Sequence, residues 1–272
     1  NAVGTLDRAL LDQAQAAGVE VRFNDRVTAT AGNMILAGGP RRADIIAVGY
    51  VFDTAMPDGA WLAFGPELAP KGYAYLLVNE GRGTVASCIF TGFRDQAKHL
   101  AATVSYFERH AGLQMQNARG FGGFGNVRLP RTAMQGGKPV IGEHAGFQDA
   151  LAGFGLRYAM RTGRLAAESL IHGTDYTEAW RQSLEPGLSA GVVNRFMFNR
   201  TGARGLDYLI EKLGANDTRS VLATAYRLSF TKRLVLPLAR FRYREPLKDR
   251  SCDHVACDCV WCQHGLHDPS GV

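Results

Sequence analysis

The sequence predicts a mixed α+β / α/β fold, and three observations carry that prediction. Residues 44–90 are strand-rich, with apolar runs separated by short turn signals. Residues 94–111 and 155–171 instead repeat their apolar positions at helical spacing. Residues 176–250 continue as helices broken at glycines and a proline. With 272 residues, 46% hydrophobic and 21% charged, the chain can bury a sizeable core in one or two domains. Its 32 glycines gather in short clusters, as they do where a backbone turns tightly or approaches a ligand.

Residues 5–17, TLDRALLDQAQAA, read as a helix with Thr5 as N-cap and Leu6, Ala9, Leu10 and Ala14 on its apolar side. Gly18 ends it, and VEVRF follows as a short alternating strand. MILA at 34–37 is a second strand, stopping at Gly38-Gly39-Pro40. DIIAVGYVFD, AWLAF, YAYLLV and TVASCIF, separated by PDG, APKG and NEGRG, predict an antiparallel sheet. The helix over 94–111 aligns Ala97, Leu100, Ala101, Val104 and Phe107. Residues 112–139, with GFGGFGN, read as irregular, and VIG at 140–142 as a short buried strand. After the helix at 155–171, breaks are predicted near Gly187, Gly202, Gly214 and Pro237. Residues 1–17 hold no signal-peptide h-region and no apolar run is long enough for a bilayer, so the expected location is cytoplasmic.

The net charge of +6 is concentrated. Within 226–250, Arg227, Lys232, Arg233, Arg240, Arg242, Arg244, Lys248 and Arg250 are opposed only by Glu245 and Asp249. Leu234, Val235, Leu236, Leu238 and Phe241 lie among them. That mixture suits peripheral contact with an anionic membrane; a solvated basic face is the other reading. No nucleic-acid motif accompanies the charge, and nucleic acid is not an expected partner.

VIGEHAG, followed by AGFGLRYAMRTG, is a strand that runs through glycines into a helix. Gly142, Gly146, Gly153 and Gly155 free the backbone, and the helix start offers unpaired N–H groups to an electron-rich ligand. Glu143 stands where a carboxylate can accept a ribityl or ribose hydroxyl, and Asp149 can support the turn. A glycine-rich loop packed on a helix for structural reasons is the alternative. Tyr73 and Tyr75 alternate on a strand and share a face, which lines either a cavity or a core. Cys88 reads as buried and inert, His110 and His172 as helix ends. Near the C-terminus, Cys252, Cys257, Cys259 and Cys262 fall within eleven positions. Such density suits zinc or an iron–sulfur cluster better than free thiols.

Several of these segments resemble flavoproteins of the para-hydroxybenzoate hydroxylase-like fold, and within them the geranylgeranyl reductase family. Residues 140–172 are similar to the family pattern GDAAGF…P..GEGI..A..SG..AAE, continuing through Arg157, Ala159, Met160, Gly163, Arg164, Ala166, Ala167 and Glu168. APKGYAYLLV at 69–78 resembles the substrate-cavity motif PGGYxWxFP, and LDRALLDQAQAAGVEVRF at 6–23 the helix–strand unit after the first FAD-binding region. ILAGGP at 35–40 resembles the second strand-and-glycine element. The departures are Glu143 for Asp, His144 for Ala, Tyr75 for Trp and Leu77-Val78 for Phe-Pro. No GxGxxG opens a helix after an N-terminal strand, so the chain reads as lacking about the first third of a flavoprotein.

The resemblance implies a partial FAD-binding domain with an inserted antiparallel-sheet substrate domain and a helical C-terminal region. Residues 1–43 would be the partial FAD-binding region, 44–139 the substrate domain and 140–175 the second flavin-contacting segment. Residues 176–250 would be the basic helical region and 251–272 the metal-binding tail. FAD would contact Gly38, Gly39, Gly142, Glu143, Gly146, Phe147, Gly153, Phe154, Gly155 and Leu156, with Tyr73 and Tyr75 on the substrate. The implied activity is reduction of carbon–carbon double bonds in a prenyl lipid, fed by NAD(P)H or a ferredoxin-like donor. A flavin-dependent hydroxylase on the same fold and a non-catalytic, metal-stabilised binding module are the alternatives.

Overall fold

The computed structural model describes residues 5–25, 27, 32–40, 44–126, 129–215 and 217–243. The chain divides into two compact units, Asn1–Met34 and Ile35–Val272. In the first, α1 (Leu6–Ala16) starts where the Thr5 hydroxyl accepts the Arg8 N–H at 3.4 Å. An Arg8–Asp12 ion pair of 2.9 Å runs along its surface. VEVRF is not a strand. Alternation alone forms no ladder without a partner, and Val19 and Phe23 stay exposed.

The second unit is built on an antiparallel sheet of order β2-β3-β4-β1-β5. The strands are β1 (Ile45–Asp53), β2 (Gly59–Ala63), β3 (Tyr73–Asn79), β4 (Arg82–Ile89) and β5 (Gln116–Gly125). The first four follow the predicted runs. Their alternation directs Phe52, Ala74, Leu76, Val78 and Val85 to one face, against Phe107 of α2 (Gln96–Ala111). Between them Ser87 Oγ and Thr103 Oγ1 lie 2.9 Å apart, fully buried and hydrogen-bonded. β5 corrects the irregular reading of 112–139. GFGGFG pairs antiparallel with β1, Gly123 opposite Ala47 and Phe121 opposite Gly49. Glycines lower strand propensity, but a paired edge needs only their N–H and C=O groups.

The predicted strands at 34–37 and 140–142 reduce to one parallel bridge, Leu36 to Val140. It is held by Leu36 N–H to Pro139 O and Ile141 N–H to Leu36 O, both 2.9 Å. The two-residue strands β6 (Met134–Gln135) and β7 (Lys138–Pro139) form a small ribbon before it. A single helical turn, α3 (Gly142–Ala145), follows, then α4 (Leu156–His172) and α5 (Tyr176–Ser183). Phe147, Tyr158, Ala166, Trp180, Leu184 and Leu188 make the core of this layer.

α6 (Glu185–Ala215) runs straight through Gly187 and kinks at Gly202, with φ 55° and ψ −139°. α7 (Thr218–Ala225) and α8 (Phe230–Arg242) complete the described chain. Pro237 does not break α8. The carbonyl it leaves unpaired belongs to Arg233, an exposed residue at which water can take the bond. Val192, Val193 and Phe196 of α6 pack on Ala239 and Tyr243, and also on Ile45 of the sheet. The molecule is therefore mixed α and β, an antiparallel sheet with helices.

Candidate functional site

α2 covers one face of the sheet, while a cavity of about 570 Å3 opens on the other. Ala47, Tyr73, Tyr75, Leu77, Cys88 and Gly123 line its sheet wall. Tyr73, Tyr75 and Leu77 are the odd positions of β3, so the register that buries Ala74, Leu76 and Val78 turns them towards the cavity. Glu143, Gln148, Ala152, Gly153 and Phe154 form the rim. Residues from two separate sequence motifs thus meet at one cavity.

The Tyr73 hydroxyl donates to the Ala152 carbonyl, joining wall to rim. Its ring lies 6.3 Å from that of Tyr75. Burial, reinforced by Cys88, holds the Tyr73 phenol far above its ordinary pKa and pushes Tyr75 up to about 12. Burial also pushes the Cys88 thiol up to about 11, so at neutral pH it carries no nucleophilic thiolate. The polar groups of this wall are neutral.

The rim is fixed by its glycines and one glutamine. Gly142 takes φ +56°, and its N–H donates to Thr162 Oγ1 at 3.0 Å. Gly153 takes φ +75°, a conformation open to glycine. Gln148 Nε2 donates to Glu143 Oε1 at 3.0 Å and to the Gly153 carbonyl at 2.8 Å. Burial raises the pKa of the Glu143 carboxyl. A Cβ on Gly155 would lie 2.7 Å from Glu143 Oε1, so the missing side chain there is what accommodates the longer Glu143. Asp149 Oδ2 accepts from the Ala152 N–H at 2.6 Å and the Tyr226 hydroxyl at 2.7 Å.

A cofactor ring would find a suitable edge here. No side chain caps Gly155 at the start of α4, which leaves first-turn N–H groups available, and Phe154 and Leu156 are more than half exposed. Gln148 Oε1 is a buried acceptor with no partner among the described residues. The donor set and the glycine backbone fit the ring end of a flavin.

Not every expected residue joins this cavity. Phe147 is fully buried, edge-on to Trp180 at 5.2 Å, so its side chain belongs to the core. Gly146 and His144 line a second cleft of about 990 Å3 with Arg131, Trp180 and Arg181. Gly38 donates its N–H to His144 Nδ1 at 3.0 Å, and neither Gly38 nor Gly39 lines the cavity. Cys252, Cys257, Cys259 and Cys262 lie outside the described residues, among which no group of three or more His, Cys, Asp or Glu could hold a metal.

The residue that sequence reasoning passed over is Arg195 of α6, which is 1% exposed. Its guanidinium donates to the Ala150 carbonyl at 2.9 Å, the Lys71 carbonyl at 2.8 Å and the Leu151 carbonyl. It stacks on the Phe90 ring at 3.6 Å. These carbonyls sit just before Tyr73 and just before Gly153, so one side chain ties both cavity segments together. The signal was a lone charge within the mostly apolar GVVNRFMF.

No protein-family model and no curated protein sequence matches the chain. Solved structures do. A geranylgeranyl bacteriochlorophyll reductase-like protein from Thermoplasma acidophilum aligns with 76% of this chain and 56% of its own, at 17% identity and a TM-score of 0.51. A flavin-dependent brominase aligns with 74% of this chain and 55% of its own, at 14% identity and a TM-score of 0.47. A flavin-dependent halogenase aligns with 88% of this chain and 58% of its own, at 16% identity and a TM-score of 0.48. The chain spans just over half the length of each. At its level of identity the first likeness is one of fold: the antiparallel sheet and helices of this chain are part of the fold of that reductase-like protein.

Proposed function

We propose that this chain forms the substrate cavity and ring-side cofactor edge of an FAD-dependent oxidoreductase that reduces carbon–carbon double bonds of a prenyl lipid, as geranylgeranyl reductases do. The observation that carries the reading is the shared cavity, where the Tyr73–Tyr75–Leu77 wall meets the Glu143–Gly153–Phe154 rim. The fold likeness to the reductase-like protein supports it. Glu143, Gly153, Phe154, Gly155 and Leu156 would hold the flavin ring, and FAD when bound supplies hydride chemistry. An NAD(P)H or ferredoxin-like donor would supply the electrons.

The chain's own residues sheathe the lipid. Ala47 and Leu77 offer it an apolar wall, and the neutral Tyr75 phenol adds no charge that an isoprenoid would have to desolvate. Glu143, whose carboxyl keeps its proton to higher pH than an exposed glutamate, is the acid placed at the rim. To test this, the FAD-loaded protein is reduced anaerobically and incubated with a geranylgeranyl lipid. The lipid should gain mass in steps of two hydrogens. No gain with flavin demonstrably bound would overturn the substrate assignment, and rapid oxygen consumption would point to a hydroxylase instead.

Cys252, Cys257, Cys259 and Cys262 are proposed to bind zinc or an iron–sulfur cluster on the strength of their spacing alone. Visible absorption indicates a cluster, and stoichiometric zinc in a colourless protein excludes one.

A further inference from the structure

α8 packs with Val235, Leu236 and Ala239 inward, onto the core it shares with α6. The opposite face is also apolar. Phe230 is 75% exposed, Leu234 67% and Leu238 53%. These positions are four apart, so the three side chains form one stripe along the outside of the helix. A solvent-facing helix normally carries polar residues there.

The charges frame this stripe. α8 contains Lys232, Arg233, Arg240 and Arg242 and no acidic residue. Arg233 and Arg240 lie along one flank of the stripe and Arg242 along the other, each one exposed. Glu185 of α6 faces Arg240 at 2.6 Å. Lys232 bends back to donate to the Ala225 carbonyl and does not reach the stripe's border. An apolar ridge with guanidinium groups on both sides matches the cross-section of a bilayer interface, with acyl chains in the middle and anionic headgroups around. The helix has 13 residues, and no described helix is long and apolar enough to cross a membrane. The geometry suits a helix lying in the surface plane.

We propose that α8 is a peripheral docking helix that lays Phe230, Leu234 and Leu238 into the surface of an anionic lipid bilayer, with Arg233 and Arg242 against the headgroups. The occupant is lipid and not a second copy of the chain, because two α8 faces would bring their arginine rows together. This inference rests on α8 alone and needs neither flavin nor substrate.

The test is co-sedimentation of the full chain with large vesicles, either of phosphatidylcholine alone or with about a third phosphatidylglycerol. The chain should bind the anionic vesicles at least about tenfold more tightly, and binding should weaken at high salt. Leu234→Glu/Leu238→Glu should abolish binding while the melting temperature holds, since both side chains already face water. A Phe230→Trp probe should show blue-shifted emission with anionic vesicles only. Failure of the parent chain to sediment with anionic vesicles would overturn the proposal. So would equal binding by the double-glutamate variant, or a concentration-dependent dimer that the same variant dissolves.

Discussion

Glu143, half-buried at the rim, and Arg195, buried in α6, are both ionisable, and burial opposes the charged form of each. Burial raises the Glu143 pKa. An unfolded glutamate titrates near about 4.3, so as pH rises above that value the folded chain holds the extra proton. Stability therefore falls through the window between the unfolded and folded pKa and stays lower above it. Glu143→Gln keeps an acceptor for Gln148 and removes that loss. Its melting temperature, measured against the parent by circular dichroism, should gain more at pH 7 than at pH 4. Arg195→Met should unfold at a markedly lower urea concentration, with a loss of about 3 kcal/mol, because it strands one buried and two partly buried carbonyls. Sequence pattern gave the position of Glu143 after a glycine. It could not give the partners of Arg195, which are backbone carbonyls 44 and 124 residues away.

At the scale of elements, the cavity depends on a strand with few side chains. A Cβ on Gly123 of β5 would meet nothing within 4 Å, whereas one on Gly125 would collide with the Gln148 amide. If the proposed function holds, Gly123→Leu should fold normally yet lose turnover of a long prenyl chain, as parallel melting and product assays would show. Gly125→Ala should instead destabilise by about 1–3 kcal/mol in urea titrations, since the buried amide must move. β1 to β4 were legible because alternation and turn residues agree with one another. β5 was not, because its glycines erase the side-chain period while leaving the hydrogen bonds intact. The α4 segment was legible for a different reason: its glycines and helix follow in a fixed order that no other part of the chain repeats.

At the scale of the molecule, the excess positive charge is partly gathered on one helix beside an apolar ridge. Hydropathy alone does not tell which side of α8 turns inward, since Val235 and Leu236 have the equally apolar neighbours Leu234 and Leu238. Only packing against α6 decides it. The vesicle assay belongs to this scale, because it asks where the whole chain resides. A last consequence concerns acid. Arg195 holds the two cavity segments through carbonyls, which do not titrate, and its own pKa, lowered by burial to about 10, leaves it charged at every lower pH. The joint between the two cavity segments should therefore hold as the medium sours, because neither its donor nor its acceptors change charge there.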